Sequence, residues 1–228
     1  MILSLLLCLI PLKLANSQSQ YALDTVASVD SNAVQCLHQN RYSTIFVQLI
    51  SYGDTNKYGI TSMQVITNDT NSNPLKFGGT WMPYVEKGNV EHLAAQQVDR
   101  LVKAMKVANV DVKTHYIQVT KDMYSWRTID ENVRYLNSML SRGLFHNLNM
   151  GIYTSLSDWA ELTGNLKNLT AQVPLWYINV NGIGVTGETQ PNYNDFIGFG
   201  PFSKVDVVMK RFASTEEVCG LNVNRNVY

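Results

Sequence analysis

The sequence predicts an α/β protein on a largely parallel sheet, open or closed into a barrel, and three observations predict it. Stretches with strand character alternate with stretches of helical periodicity along most of the chain. The composition, 45% hydrophobic and 16% charged, supplies a sizeable core and argues against global disorder. The length, 228 residues, suits one domain, because single barrels commonly run to about 200–250 residues.

In chain order, residues 1–17 (MILSLLLCLIPLKLANS) read as a targeting segment. An apolar run from Ile2 to Leu12 precedes Ala15-Asn16-Ser17, a small-x-small cleavage pattern, although only the α-amino group stands ahead of the run. A membrane anchor needs about 20 apolar residues, and Lys13 ends this stretch too early. No later run qualifies, so the expectation is a secreted, soluble protein starting near Gln18, with no membrane anchor.

Residues 21–26 form a predicted strand and 32–40 a helix containing Cys36. Residues 44–52 (TIFVQLISY) are rich in β-branched and aromatic side chains, the signature of a strand. Residues 68–79 have the Asn, Ser, Pro and Gly content of a loop. Residues 91–107 place Leu93, Val98, Leu101 and Met105 at helical spacing. A strand over 115–120 follows, then an amphipathic helix over 129–142 with Gly143 as its C-cap candidate. Residues 149–153 are a strand, 157–163 a short helix with Asp158 at its start, and 175–180 a further strand. The last third, rich in Gly, Asn and Phe, is expected to be less regular.

With Cys8 in the targeting segment, the mature chain keeps Cys36 and Cys219. An even pair in an oxidising compartment is expected as a disulfide, with two buried thiols the alternative. Two glycosylation sequons, at Asn68 and Asn168, are expected on exposed loops. Lys plus Arg and Asp plus Glu both count 18, which offers no general electrostatic footprint for nucleic acid or anionic membrane. His38, His92, His115 and His146 lack metal-ligand spacing, so no metal is expected. No G-x-S-x-G or P-loop pattern is present, and the Gly-rich 182–187 lacks a βαβ setting.

The strand around residue 118 raises a chemical question. Alternation puts Tyr116, Gln118 and Thr120 on one face and Ile117 and Val119 on the other. Gln118 and Thr120 carry an amide and a hydroxyl, neither of which ionises near neutral pH. His115 points the other way and reads as a packed or exposed strand histidine rather than a proton donor.

Five stretches in order, YALDTV, AVQCL, NMGIYTSLSDW, VPLWYINVN and VCGLNVNRNVY, resemble glycoside hydrolase family 25, most closely its secreted invertebrate lysozymes. The resemblance spans residues 21–228, the expected extent of the lysozyme-like domain. It implies a modified (β/α) TIM-like barrel with its site at the C-terminal strand ends. It also implies hydrolysis of the β-1,4 bond after N-acetylmuramic acid in bacterial peptidoglycan, without a cofactor, in innate immune defence. The implied partner is that cell-wall glycan or a related N-acetylated sugar.

This sequence departs from the family where the chemistry sits. The family's Asp-x-Glu pair, acetamido-orienting acid and general acid, falls on Gln118 and Thr120. Two further family acids fall on Asn181 and Asn224, and only Asp24 is retained. Amides and hydroxyls can still hold sugar hydroxyls and acetamido groups. Tyr116, Trp126, Trp176 and Tyr177 are candidate stacking faces for pyranose rings, with core packing as their competing role. Three expectations follow: a family member with lost or reduced muramidase activity, an active enzyme using a displaced acid such as Asp122, or an extracellular interaction protein that kept only the barrel.

Overall fold

The computed structural model describes residues 20–121 and 125–228, so the segment over 1–17 and Asp122 lie outside the described residues. The chain runs β1 (Tyr21–Thr25), α1 (Ser31–Gln39), β2 (Thr44–Ser51), the two-residue β3 (Asp54–Thr55), α2 (Lys57–Thr67), β4 (Lys76–Trp81) and α3 (Val90–Val107). It continues through β5 (Thr114–Val119), α4 (Ile129–Phe145), β6 (Asn149–Thr154), α5 (Leu156–Thr163), β7 (Leu175–Ile178), β8 (Val207–Val218) and β9 (Leu221–Val227). Neighbours follow the order β1-β9-β8-β7-β6-β5-β4-β2, and β1 also pairs with β2, which closes a barrel of eight strands. All pairs from β1–β2 round to β7–β8 are parallel; β9 alone runs antiparallel to both its neighbours.

Strand alternation sorts the core into two layers. Ala22, Phe46, Tyr116, Tyr153, Trp176 and Met209 point inward and fill the barrel. Leu23, Ile45, Val47, Ile117, Val119 and Ile152 point outward and pack under the helices. The aromatic filling needs gaps opposite it. Phe46 is in register with Gly78 and Tyr116 with Gly151. A Cβ on Gly78 would sit 2.3 Å from the Phe46 ring, and one on Gly151 2.4 Å from the Tyr116 ring. Helix starts are capped as their sequences suggest. Asp30 accepts from the Ala33 N–H at 2.8 Å, and Thr128 with Glu131 forms a capping box on α4.

Three expectations are corrected, and one helix, α2, is added. Lys76 to Gly79 belong to β4, not to a loop, because the Gly-Gly pair marks close packing rather than a turn. Gly143 lies inside α4, which runs to Phe145 with His146 as cap; a Cβ at 143 would lie 2.4 Å from Met150 Sδ. The last third holds the two long strands β8 and β9, turned at Cys219-Gly220 with both residues at positive φ. Helix α2 has weak propensity, with Gly59 and several β-branched residues, yet it buries Ile60, Met63 and Ile66 against the barrel. A Cβ on Gly59 would fall 2.1 Å from the Gln48 carbonyl oxygen, so only glycine lets α2 approach β2 this closely.

Cys36 on α1 and Cys219 at the β8–β9 turn form a disulfide with Cα atoms 5.6 Å apart, across 183 residues of sequence. In the chain-entropy model a loop of that length is worth roughly 5 kcal/mol. The Cys36→Ser, Cys219→Ser double variant is expected to lose about 2–5 kcal/mol in urea unfolding. Mass spectrometry of the non-reduced protein should find the cross-link; two free thiols would remove it from the stability argument.

His115 is fully buried in the outer layer. Its Nδ1 accepts from the Trp81 indole N–H at 3.0 Å, so its Nε2–H donates to the Val112 carbonyl at 2.9 Å. Desolvation pushes its pKa down to about 4. Above the ordinary value of about 6.5 both folded and unfolded states are neutral; between there and about 4 only the unfolded state takes the proton. Stability therefore falls as pH drops through this window, by up to about 1.4 kcal/mol per pH unit from this group. His115→Gln, which keeps an acceptor for Trp81, should flatten that part of the stability profile in denaturant titrations at stepped pH.

Candidate active site

The C-terminal ends of the parallel strands share one mouth, and β1 delivers the retained acid to it. Ala22 and Asp24 alternate into the barrel while Leu23 faces the helices. Asp24 lies in register with Asn224 on β9. Its Oδ2 accepts from Asn224 Nδ2 at 2.8 Å and its Oδ1 from Asn226 Nδ2 at 2.8 Å. Both amides are oriented from behind: Asn226 Oδ1 accepts from the Trp176 indole N–H at 3.0 Å, and Asn224 Oδ1 from the Thr215 N–H at 3.2 Å. Each amide therefore has one orientation, with its NH₂ toward the carboxylate.

Opposite Asp24 stands Arg211 on β8, in register with Ile178 and Asn226. Its Nη1 donates to the Tyr153 hydroxyl at 3.2 Å, and its Nη2 donates to Ser214 Oγ. Burial pushes the Asp24 carboxyl above the usual range, opposed by the Arg211 charge and by the Asn226, Asn224 and Tyr153 donors. A raised pKa suits a proton donor, but geometry argues otherwise. Asp24 is 4% exposed, and each oxygen already faces a protein amide. These bonds make the acid part of the framework that holds the mouth in shape.

Gln118 faces the interior in register with Tyr153, and its Oε1 is buried with no hydrogen-bond partner among the described residues. Thr120 follows β5, half-buried, and its carbonyl accepts from the Trp126 indole N–H at 2.8 Å. Asp24, Asn224 and Gln118 thus share the barrel interior, with Thr120 at its rim. Asn181 is exposed beyond β7, and its Nδ2 makes one long contact, 3.5 Å, to the Glu188 carbonyl; no hydrogen bond links it to Asp24.

The aromatic candidates are corrected by burial. Trp176 is fully buried, stacked on Tyr153 at 4.2 Å between centroids, with Tyr116 and Phe46 against its edges. These rings are the barrel's filling, not open faces for a pyranose. Tyr177 lies on the outer face of β7, its hydroxyl donating to Asp195 at 2.5 Å and its ring against Phe196. Trp126 is half-buried against the outer core. Asn68 and Asn168 are both exposed, as sequons require.

Arg211, Asn226 and Tyr153 belong to this network and escaped the sequence reading. A signal existed for two of them. In NVNRNV, alternation puts Asn224 and Asn226 on one face and Arg225 on the other. In MKRF, adjacent cations on one strand must point to opposite faces, so one had to enter the barrel. Lys210, the outward one, is fully buried under the loop after β7, with its Nζ 2.5 Å from Asp195 and 2.7 Å from the Gln190 carbonyl.

Comparison with known proteins agrees with this architecture. Residues 15–212 match the family described as Lys-1, Lysozyme-like protein 1. Lysozyme-like protein 1 of Caenorhabditis elegans is 34% identical over 209 residues, covering 91% of this chain and 68% of that one. The family 25 lysozyme of Aspergillus fumigatus superposes with a TM-score of 0.64 at 12% identity, covering 92% of this chain and 94% of that one. The modular autolysin of Streptococcus pneumoniae, solved with a synthetic peptidoglycan ligand, gives a TM-score of 0.62 at 14% identity, covering 92% of this chain and 46% of that one. With its closed eight-strand barrel and these matches, the chain belongs to the lysozyme-like protein 1 family and has the fold of the glycoside hydrolase family 25 lysozymes.

Proposed function

We propose that this is a secreted protein of host defence that recognises peptidoglycan and has lost most or all of its muramidase activity. The observation that carries this reading is the neutral mouth. Where the family resemblance asks for an acid pair, residues 118 and 120 are Gln and Thr, and Asp24 has both oxygens engaged by Asn224 and Asn226. Cleavage needs a proton for the leaving oxygen and negative charge near an oxocarbenium-like centre. Loss of the general acid alone costs about 10²–10⁴-fold. What the mouth keeps is hydrogen bonding from amides and hydroxyls, sufficient to hold an acetamido group or sugar hydroxyls. The autolysin's peptidoglycan ligand supports a cell-wall glycan as partner, and the disulfide supports an oxidising compartment.

Clearing of purified cell walls tests this directly. The wild-type protein is expected to clear walls about a hundredfold or more slowly than an active relative. Gln118→Asp combined with Thr120→Glu should restore measurable cleavage if the mouth kept its shape and lost only its charge. Full wild-type clearing, abolished by Asp122→Asn, would overturn the proposal and make Asp122 the acid. Failure to bind N-acetylated disaccharides in calorimetry would leave the third expectation, an interaction protein that kept only the barrel.

A further inference from the structure

A cavity of about 460 Å³ lies at the C-terminal ends of β6 and β7, outside the Asp24 network. It adjoins the barrel mouth through Ile178, which packs on the interior cluster and also lines the cavity. Its walls include Val180, Phe196 and Phe199, and its rim carries Leu156 and Ile197, exposed by 46% and 71%. Two carboxylates, Asp158 and Asp195, line it, and no Lys, Arg or His among the described residues does.

Neither carboxylate is saturated. Asp158 accepts one donor on each oxygen, from the Lys121 N–H and the Ser155 hydroxyl. Each oxygen offers two acceptor sites, which leaves room for an incoming donor. Asp195 is bonded by Tyr177, Asn179 and Lys210, yet its side chain is 32% exposed. Lys210 lies buried behind it and does not line the cavity. An apolar-walled cleft with two carboxylates, of which Asp195 is paired with Lys210 and Asp158 has no ion-pair partner among the described residues, fits an aliphatic chain ending in an ammonium group, which can bury its methylenes while its head meets the acids.

We propose that this cavity receives the amine-bearing side chain of a peptidoglycan stem peptide, that is, the diamino acid of the stem. The inference rests on the peptidoglycan reading above and adds a second point of recognition. The glycan lies at the mouth and the stem peptide extends past Ile178 into the cleft. The charge complementarity is specific to the amine, since acetylating it keeps the aliphatic chain and removes the cation.

Calorimetry with five probes tests this: the bare N-acetylglucosamine–N-acetylmuramic acid disaccharide, the same disaccharide carrying a lysine-terminated tripeptide, its ε-N-acetylated form, and the tripeptide alone with and without that acetyl group. The lysine muropeptide is expected to bind about tenfold more tightly than its acetylated form, the worth of one charge-assisted contact. Ile197→Lys, on the exposed rim, should abolish that difference and leave disaccharide binding unchanged. Equal binding of the two muropeptides, or an unchanged preference in Ile197→Lys, overturns the inference while the glycan reading stands. If the disaccharide does not bind but the free tripeptide still prefers its unacetylated form, the glycan reading fails and the cavity assignment survives. Absence of any amine preference in either pair overturns it.

Discussion

The barrel is closed by its last strand. β9 enters antiparallel between β8 and β1, and without it the parallel sheet from β1 round to β8 would expose two edges. The hydrogen bonding of Asp24 follows from that insertion. Asn224 and Asn226 come from β9, their acceptor is Asp24 on β1, and the Trp176 indole on β7 orients one of the amides. The disulfide secures the same hairpin from outside, tying its turn to α1. The Asp24 carboxylate is thereby part of the seam that closes the fold.

That seam governs the chemistry available. A buried carboxylate is costly unless it is hydrogen-bonded or paired, and Asp24 has two amide donors, a nearby tyrosine hydroxyl and the Arg211 charge. The Arg211 charge is in turn raised in basicity by Tyr153 and Asp24, against the desolvation that acts the other way. The two charges balance inside the barrel. Charge inside the mouth is therefore used to hold structure, and the positions where substrate chemistry would sit carry neutral amide and hydroxyl groups.

Much of this was legible in the sequence, for physical reasons that differ between elements. The strand at 114–119 could be read because alternation of Tyr116 and Gln118 with Ile117 and Val119 is the same pattern that divides interior from outer core. The helices at 90–107 and 129–145 could be read because their apolar residues recur at helical spacing on one face. Glycine was the residue most often misjudged. Gly78, Gly79 and Gly143 looked like turn or cap signals, and each is instead a place where a neighbour's side chain occupies the space of a Cβ. That information is tertiary; no local pattern carries it. The aromatics went astray for a related reason. A barrel interior must be filled, and Tyr116 and Trp176 fill it, so their ring faces are spent on one another and on Phe46.

The electrostatics of the mouth also explain why a family scaffold can lose its acids without losing its fold. Gln118 and Thr120 sit above the aromatic layer, and Asp24 holds its charge partner and its amides without their help. Two carboxylates at 118 and 120 would add negative charge beside Asp24, raising one another's pKa, which favours a protonated general acid. With Gln118 and Thr120 in place that repulsion is absent, and the buried Asp24 has the half-buried Arg211 guanidinium as its nearby opposite charge. With neutral side chains at both positions the barrel is closed, its mouth is polar and the neighbouring cleft between β6 and β7 is formed. The proposed binding role needs only those three things, and none of them depends on an acid at residue 118 or 120.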